Sequence, residues 1–313
     1  MNRRPRTVVF AYSEVGWRCL RALAESGANI RAVFTYKDDL GENTWFHSVK
    51  DLAVERGLPV FTPKGVKDAK NLKLLKEFAP ELVFSFYYRH ILPEEVLCLP
   101  RLGAFNMHGS LLPKYRGRAC VNWAIIKGES ETGATLHWMT PQADEGDIVA
   151  QKRVPIDEKD TAKDVMLRIA EAAEKLIREH LHLLESGKAP RTPQDHGAAT
   201  CFGGRKPEDG LIDWNATAKD IANLVRAVTR PYPGAFSYLK GKKVFIWKAV
   251  PVDDTTETQA GKVITVKPLV VGTGRGLLRI DDAEPEMQTT LGDLFGKGKE
   301  TPSDTAKEGR FSS

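Results

Sequence analysis

An amide and an imidazole stand two residues apart at the end of a short apolar run near the middle of the chain. Asn106 and His108 follow Ala104 and Phe105, and a strand places residues i and i+2 on the same face. The amide can donate a hydrogen bond to a developing oxyanion, and an imidazole can carry a proton near neutral pH. The pair therefore indicates acid–base chemistry combined with stabilisation of an oxyanion.

A carboxylate that completes this set is predicted downstream. Asp144 lies in the segment 132–149, whose pattern predicts a strand, a turn and a second strand. A carboxylate beside an imidazole fixes its tautomer and raises its pKa by stabilising the imidazolium. Asp147 lies in the same segment and competes for this role. We expect one of the two acids to meet His108.

The elements that must position these residues alternate between strands and helices. Buried strands are predicted at 7–12, 28–35, 59–62 and 82–87, with amphipathic helices between them. This alternation predicts an α/β fold with a Rossmann-like, mostly parallel sheet. Ligands of such sheets bind outside the carboxyl ends of the strands, where Asn106 and His108 fall. The first strand-to-helix turn lacks Gly-x-Gly-x-x-Gly, which disfavours a dinucleotide-dependent role.

The second half of the chain has a different pattern. Several short strands around one helix, 217–229, predict a small open β barrel. The Pro/Gly-rich segment that begins at 186 predicts a crossing between domains. The predicted domains are a catalytic domain at 1–190, a linker at 191–200, a β domain at 201–285 and a flexible polar tail at 286–313.

Composition narrows the function classes. The chain has 313 residues, a formal net charge of +5 and four cysteines without metal-type spacing. We therefore expect reduced, buried thiols and no metal site. The mild positive charge suits a small anionic substrate better than nucleic acid. Without a signal peptide or an apolar run of membrane length, the predicted location is the cytoplasm, with no membrane contact.

Four motifs then occur in a fixed order. They are Phe-Ser-Phe-Tyr-Tyr-Arg-His-Ile at 84–91, Asn-x-His at 106–108, Ser-Leu-Leu-Pro-x-Tyr-Arg-Gly at 110–117 and Asp-x-Gly-x-Ile at 144–148. In these motifs the chain resembles the formyltetrahydrofolate-dependent formyltransferase family. It is similar in particular to the formyltransferase half of the bifunctional polymyxin-resistance enzymes, which serve lipid A modification in lipopolysaccharide biosynthesis. The likeness runs from Thr7 to about Ile280.

The resemblance implies a reaction and a set of site residues. The reaction is transfer of the formyl group of 10-formyltetrahydrofolate to the 4-amine of a UDP-linked amino sugar, with UDP-4-amino-4-deoxy-L-arabinose favoured. The implied catalytic residues are Asn106, His108 and Asp144, and the implied C-terminal domain is OB-like. The implied folate contacts are His90, Ile91, Leu92, Arg118, Thr140, Pro141, Gln142 and Ala143.

The predicted sugar-nucleotide contacts are Tyr88, Ser110, Arg205, Arg226 and Tyr232. Arg205 and Arg226 stand out among them because a guanidinium can hold phosphate oxygens in pairs, and both lie near the predicted domain junction.

Other functions stay open at this point. Methionyl-tRNA formyltransferases share the catalytic triad, but their family carries a basic insertion early in the first domain. The corresponding segment here, 35–58, is short and has more acidic than basic residues, so it is a poor clamp for a phosphate backbone. Formylation of another nucleotide-linked amino sugar is the second alternative, and a folate or nucleotide sensor without turnover is the third. The sequence carries no prediction of oligomeric state.

Overall fold

A computed structural model describes residues 3–37 and 44–296. The chain divides into two compact units, one ending at Arg205 and the other beginning at Lys206. This boundary lies later than the predicted domain end at 190, because the segment 191–202 pairs with elements of the first unit. Thr192 exchanges backbone hydrogen bonds of 2.8 and 3.0 Å with Ile148. The proposed linker therefore belongs to the first unit.

The first unit contains nine strands, six α-helices and a short 3-10 helix, His196–Ala198, within its described residues. The strands are β1 (Arg6–Ala11), β2 (Asn29–Phe34), β3 (Val60–Phe61), β4 (Leu82–Phe86), β5 (Ala104–His108), β6 (Arg116–Gly117), β7 (Glu131–Trp138), β8 (Ile148–Pro155) and β9 (Cys201–Phe202). The helices are α1 (Ser13–Glu25), α2 (Val49–Glu55), α3 (Ala69–Phe78), α4 (Glu94–Leu97), α5 (Cys120–Ile126) and α6 (Ala162–Glu185).

Seven of these strands form one sheet in the order β3-β2-β1-β4-β5-β7-β8. The pairs from β3 to β5 are parallel, and β7 and β8 join antiparallel at one edge. The predicted α/β fold with a mostly parallel sheet is confirmed. The central strands are almost wholly apolar because helices cover a parallel sheet on both faces, and every residue of β4 is buried.

The long helix α6 shows how local sequence sets an element that packs on this sheet. Thr161 accepts a hydrogen bond from the backbone of Asp164, whose carboxylate accepts from the backbone of Thr161 in return. This capping box satisfies backbone donors at the helix start. Its apolar stripe, which includes Val165 and Ile169, is buried, and the helix packs against α1, β7 and β8.

The second unit is an antiparallel sheet with one α-helix and a short 3-10 helix, Pro207–Gly210, in its described part. Its elements are α7 (Ala218–Val228), β10 (Ala235–Leu239), β11 (Lys242–Asp253), β12 (Val263–Val266), β13 (Leu269–Gly272), β14 (Leu277–Glu284) and β15 (Phe295–Gly296). The strand order is β12-β13-β14-β11-β10-β15, which confirms the predicted C-terminal β domain. Strand β15 lies inside the segment 286–313, which was predicted to be a flexible tail. It pairs with β10 at Leu239 and Phe295, so this part of the segment forms a strand. The rest of that segment, 297–313, lies outside the described residues.

None of the helices in the described ranges combines the length and the apolar character needed to cross a membrane.

Candidate active site

Strand β5 carries Asn106 and His108 to a cluster that also contains Asp144. The sheet register places β5 between β4 and β7, so its side chains are held by a strand on each side. Asp144 Oδ1 lies 3.4 Å from Asn106 Nδ2 and 3.5 Å from His108 Nδ1. His108 is only 6% exposed. The structure thus brings together the amide, the imidazole and the carboxylate that the sequence singles out.

Asp144 reaches this position through an uncommon backbone conformation. Its φ of 59° lies in the left-handed region, which non-glycine residues seldom adopt. The backbone N–H of Gly117 donates to Asp144 Oδ2 at 2.9 Å, which leaves Oδ1 for Asn106 and His108. The competing acid, Asp147, instead lies 3.3 Å from the Arg191 guanidinium. The structure therefore selects Asp144.

The hydrogen bonds of His108 assign its two ring nitrogens. Nε2 lies 2.8 Å from the backbone carbonyl of Tyr115. A carbonyl can only accept, so Nε2 carries the hydrogen. The other ring nitrogen, Nδ1, faces Asp144 Oδ1 at 3.5 Å. Nδ1 is therefore the ring nitrogen that is left to exchange a proton.

Burial and charge act against each other at His108. Burial lowers the pKa of His108, and the nearby carboxylate of Asp144 raises it in part, with a net pKa below the ordinary value. The expectation that Asp144 raises the pKa of His108 is confirmed in direction, but removal from water outweighs the carboxylate, so the net pKa is lowered. Burial also opposes ionisation of Asp144, but His108, His137 and the Gly117 N–H together lower the Asp144 pKa. Burial therefore favours the neutral form of His108, and the carboxylate of Asp144 partly offsets that preference.

A fourth polar side chain, His137, belongs to the cluster and was not singled out from the sequence. It lies opposite Asn106 in the β5–β7 register. Its Nδ1 is 2.7 Å from the carbonyl of Trp138, and its Nε2 is 3.1 Å from Asn106 Nδ2. Since the carbonyl fixes the hydrogen on Nδ1, Nε2 accepts from Asn106 and so orients its amide. The alternation of side-chain directions along β7 could have predicted which face of the strand carries His137. Only the register between β5 and β7 shows that His137 contacts Asn106.

The four cysteines are free, and the structure corrects the expectation that all are buried. Cys19 and Cys120 are buried, but Cys98 and Cys201 are exposed, since Cys98 follows the short helix α4 and Cys201 begins the short strand β9. Burial raises the pKa of the Cys120 thiol to about 12, so this side chain near the cluster stays protonated.

Two family models match most of the chain. Residues 6–181 match the model for formyl transferase, and residues 205–298 match that for the formyl transferase C-terminal domain. The chain belongs to the formyl transferase family.

Solved structures share the fold of this formyltransferase. WlaRD, a sugar 3N-formyltransferase determined with dTDP and 5-N-formyl-THF, matches with a TM-score of 0.68 and 19% identity, over 91% of this chain and 100% of that one. The N-formyltransferase from Helicobacter canadensis with folinic acid and dTDP-3-aminofucose matches with a TM-score of 0.66 and 20% identity, over 89% and 99% of the chains. HypX from Aquifex aeolicus with tetrahydrofolic acid matches with a TM-score of 0.61 and 22% identity, over 90% of this chain and 44% of that one.

The predicted folate residues of the formyltransferase fall into two loops and one isolated position. After β4, His90 lies 3.0 Å from the Tyr36 hydroxyl, Ile91 is 65% exposed and Leu92 is buried. Before Asp144, the Thr140 hydroxyl donates to the carbonyl of Gln142 at 2.9 Å. Pro141, Gln142 and Ala143 are exposed. Arg118 is exposed, and its backbone N–H donates to Phe202.

The predicted sugar-nucleotide residues are more scattered. Ser110 is fully buried and its hydroxyl donates to the Lys114 carbonyl at 2.6 Å, so it stabilises the turn and is not placed to contact substrate. Tyr88 is buried in the core and stacks on Tyr36. Arg205 lies over the Trp123 ring, 4.7 Å from its centroid, in the first unit. Arg226 and Tyr232 lie in the second unit, where both are half-buried.

A cavity of about 380 Å³ lies at the other end of β5 from His108. It is lined in part by Gly103, Ala104, Trp138 and Met139. Across the described residues, no group of three or more His, Cys, Asp or Glu side chains is placed to hold a metal ion.

Proposed function

We propose that this formyltransferase moves the formyl group of 10-formyltetrahydrofolate to the 4-amine of a UDP-linked amino sugar, with UDP-4-amino-4-deoxy-L-arabinose as the favoured acceptor. The observation that carries the proposal is the cluster in which Asp144 lies within 3.5 Å of both Asn106 and His108. Family membership gives the group transferred, and the cluster supplies the acid–base and oxyanion chemistry of acyl transfer.

The proposed reaction follows from the chemistry of an amine and a formyl group. The lone pair of the neutral amine attacks the formyl carbon, and the carbonyl oxygen becomes an oxyanion that accepts from Asn106 Nδ2. His108 Nδ1 takes a proton from the attacking nitrogen and gives it to N10 of the folate as the carbon–N10 bond breaks. The products are the N-formyl sugar and tetrahydrofolate. Asp144 stabilises the imidazolium while it holds the proton.

Two observations support the folate as donor. The structures of WlaRD and of the Helicobacter canadensis enzyme, which share this fold, each hold a formylated folate. In this chain, the exposed Ile91 offers apolar surface, and the turn 140–143 offers exposed backbone groups that lead directly to Asp144. A pterin can use both kinds of contact, since its ring is flat and its edge carries donors and acceptors.

Two further observations support a sugar nucleotide as acceptor. The same two structures carry dTDP or a dTDP-amino sugar, and the motif at 84–91 resembles the UDP-arabinose enzymes. The acidic balance of segment 35–58 opposes a tRNA backbone; part of this segment, 38–43, lies outside the described residues.

A product assay tests the acceptor. The protein is incubated with 10-formyltetrahydrofolate and a panel of UDP- and dTDP-linked amino sugars, and the products are identified by mass spectrometry. We expect one formyl group on the 4-amine of the UDP-arabinose compound, formed faster than on any dTDP-linked sugar. Formylation of initiator methionyl-tRNA with no sugar product would overturn the proposal.

Substitution of the cluster tests the mechanism. His108→Ala and Asn106→Ala remove the proton carrier and the oxyanion donor, and each is expected to lower kcat by at least about 10². Asp147→Asn is the matched control because this acid lies on the same loop but pairs with Arg191, and it should retain turnover. Circular dichroism checks the fold of each variant. A near wild-type rate in either alanine variant would remove that residue from the mechanism.

A further inference from the structure

The amide of Gln194 holds the backbone at Asp144 and at Gly146, two residues after it. Its Nε2 donates to the carbonyl of Asp144 at 2.9 Å and to the carbonyl of Gly146 at 2.7 Å. Gln194 is only 6% exposed, so water competes little for these bonds. One side chain therefore spans the turn in which Asp144 adopts its left-handed conformation.

A buried arginine fixes the direction of that amide. Arg116, 4% exposed, donates to Gln194 Oε1 from Nε at 3.2 Å and from NH2 at 2.8 Å. Because a guanidinium only donates, the amide oxygen must face Arg116 and both amide hydrogens must face the carbonyls. Glu145 Oε1 at 3.4 Å and His196 Nδ1 at 3.2 Å hold the guanidinium in turn.

The same arginine lies next to a direct contact of the carboxylate. Arg116 and Gly117 form β6, and the Gly117 N–H donates to Asp144 Oδ2 at 2.9 Å. Strand β6 is held by its pairing with β9. The side chain of Asp144 is therefore held by the N–H of Gly117 in β6, and its backbone carbonyl is held by Gln194.

We propose that Gln194 and Arg116 are positioning residues for formyl transfer: they hold the turn around Asp144 so that its carboxylate stays beside His108. This inference rests on the proposed function. A backbone in a sparsely populated region persists only where its surroundings hold it, and the two carbonyl bonds from Gln194 meet that need. Neither residue touches a reacting atom in this assignment.

Kinetics and a histidine titration test the inference. Gln194→Met keeps the length of the side chain but donates no hydrogen bond, and Gln194→Ala removes the side chain altogether. We expect kcat to fall about tenfold to a hundredfold while KM for the amino sugar changes little, because the carboxylate acts on the transition state. His108 should also titrate at lower pH by NMR, since the Asp144 carboxylate raises its pKa more than the other raising contact, the carbonyl of Tyr115.

The Gln194 variants leave unchanged the other residues that face His108 and Arg116. His137 and the carbonyl of Tyr115 face His108, and Glu145 and His196 face Arg116. The matched control is Thr273→Ala, which removes a fully buried hydroxyl bonded to the carbonyl of Gly276 in the second unit. It should lower the melting temperature without changing kcat or the His108 titration.

The positioning role of Gln194 and the proposed formyl transfer can be disproved independently of each other. The titration is measured without substrate, so a shift of His108 in Gln194→Met supports the positioning role whichever acceptor is formylated. If Gln194→Ala does not fold, Gln194→Met decides alone. A Gln194→Met protein with kcat within about twofold of wild type and an unmoved His108 titration overturns the inference, while formylation by the wild type still supports the proposed function.

Discussion

The two amide hydrogens of Asn106 make contacts of different length. One points to His137 Nε2 at 3.1 Å, and the other to Asp144 Oδ1 at 3.4 Å. The second distance exceeds the usual range of about 2.7–3.2 Å for such a bond. The hydrogen facing Asp144 is therefore weakly held, and in the proposed reaction it is the one that the oxyanion accepts. His137 keeps the amide turned so that this hydrogen faces the site.

His137→Ala tests this division of roles. Without its Nε2 acceptor, Asn106 loses its fixed orientation, so kcat should fall about tenfold, less than the 10² to 10³ that loss of an oxyanion donor gives. Steady-state kinetics with the amino sugar measure the change. His180→Ala is the control, because His180 bonds only to the Leu176 carbonyl in the contacts described for it on α6. Wild-type turnover in His137→Ala would contradict the orienting role.

The pH dependence of stability at Asp144 gives a second prediction. Its folded-state pKa is lowered, so the ionised carboxylate stabilises the fold fully above the unfolded pKa, about 3.9. That stability is lost as the pH falls through the lower folded pKa. Because Asp144 also raises the pKa of His108, the free-energy difference between wild type and Asp144→Asn changes where His108 titrates, and the part that comes from the carboxylate itself should shrink below about pH 4.

Urea unfolding at a series of pH values measures this difference. Wild type and Asp144→Asn are compared at each pH, so that the other carboxylates contribute equally to both proteins. A difference that stays unchanged at acidic pH would show that the carboxylate is not stabilised by its neighbours.

At the scale of elements, the two-residue strands β6 and β9 connect the turn that contains Asp144 to the last residues of the first unit. Gly117 has a φ of 96°, and a Cβ there would lie 2.3 Å from the carbonyl oxygen of Phe202. This close approach lets β6 pair with β9 while the Gly117 N–H reaches Asp144. Only glycine combines the positive φ with the close approach to the Phe202 carbonyl.

Gly117→Ala should therefore reduce both stability and activity. The left-handed backbone alone costs about 1–2 kcal/mol, and the clash with Phe202 must add to it by separating β6 from β9. Gly57→Ala is the control, because Gly57 also has a positive φ, 64°, but nothing lies within 4 Å of its Cβ position. Thermal unfolding and kcat distinguish them: the control should lose stability only. Equal effects of the two substitutions would contradict the role of the β6–β9 pair.

The elements also show what the sequence could and could not predict. Alternating apolar runs predicted the parallel strands, and the i, i+2 spacing predicted that Asn106 and His108 share a face. The role of His137 depends on the β5–β7 register, which no local pattern carries. Gln194 lies in a segment whose Pro/Gly composition is typical of a linker, so its burial against the Asp144 turn depends on contacts distant in the chain.

At the scale of the whole molecule, the proposed function requires binding of two small anionic ligands by a chain of mild positive charge. The formal net charge of +5 favours encounter with a folate and a nucleotide sugar. A ligand that binds only the folded state stabilises it by mass action, by about 2.7 kcal/mol at a concentration a hundred times its Kd. Stability can therefore report on acceptor choice without turnover.

Thermal unfolding with ligands is the last prediction. We expect 5-formyltetrahydrofolate, which cannot donate its formyl group in this reaction, to raise Tm on its own. UDP should raise Tm further and more than dTDP at equal concentration, because the proposed acceptor carries uridine. At saturating concentrations each shift should amount to a few degrees, at about 1.5 °C per kcal/mol from an unfolding entropy of about 2.1 cal/mol/K per residue. Initiator tRNA at physiological salt is the control for non-specific phosphate binding and should leave Tm unchanged. A larger shift with dTDP than with UDP would keep the sugar formyltransferase and replace its nucleotide, whereas a shift with tRNA alone would transfer the activity to an RNA acceptor.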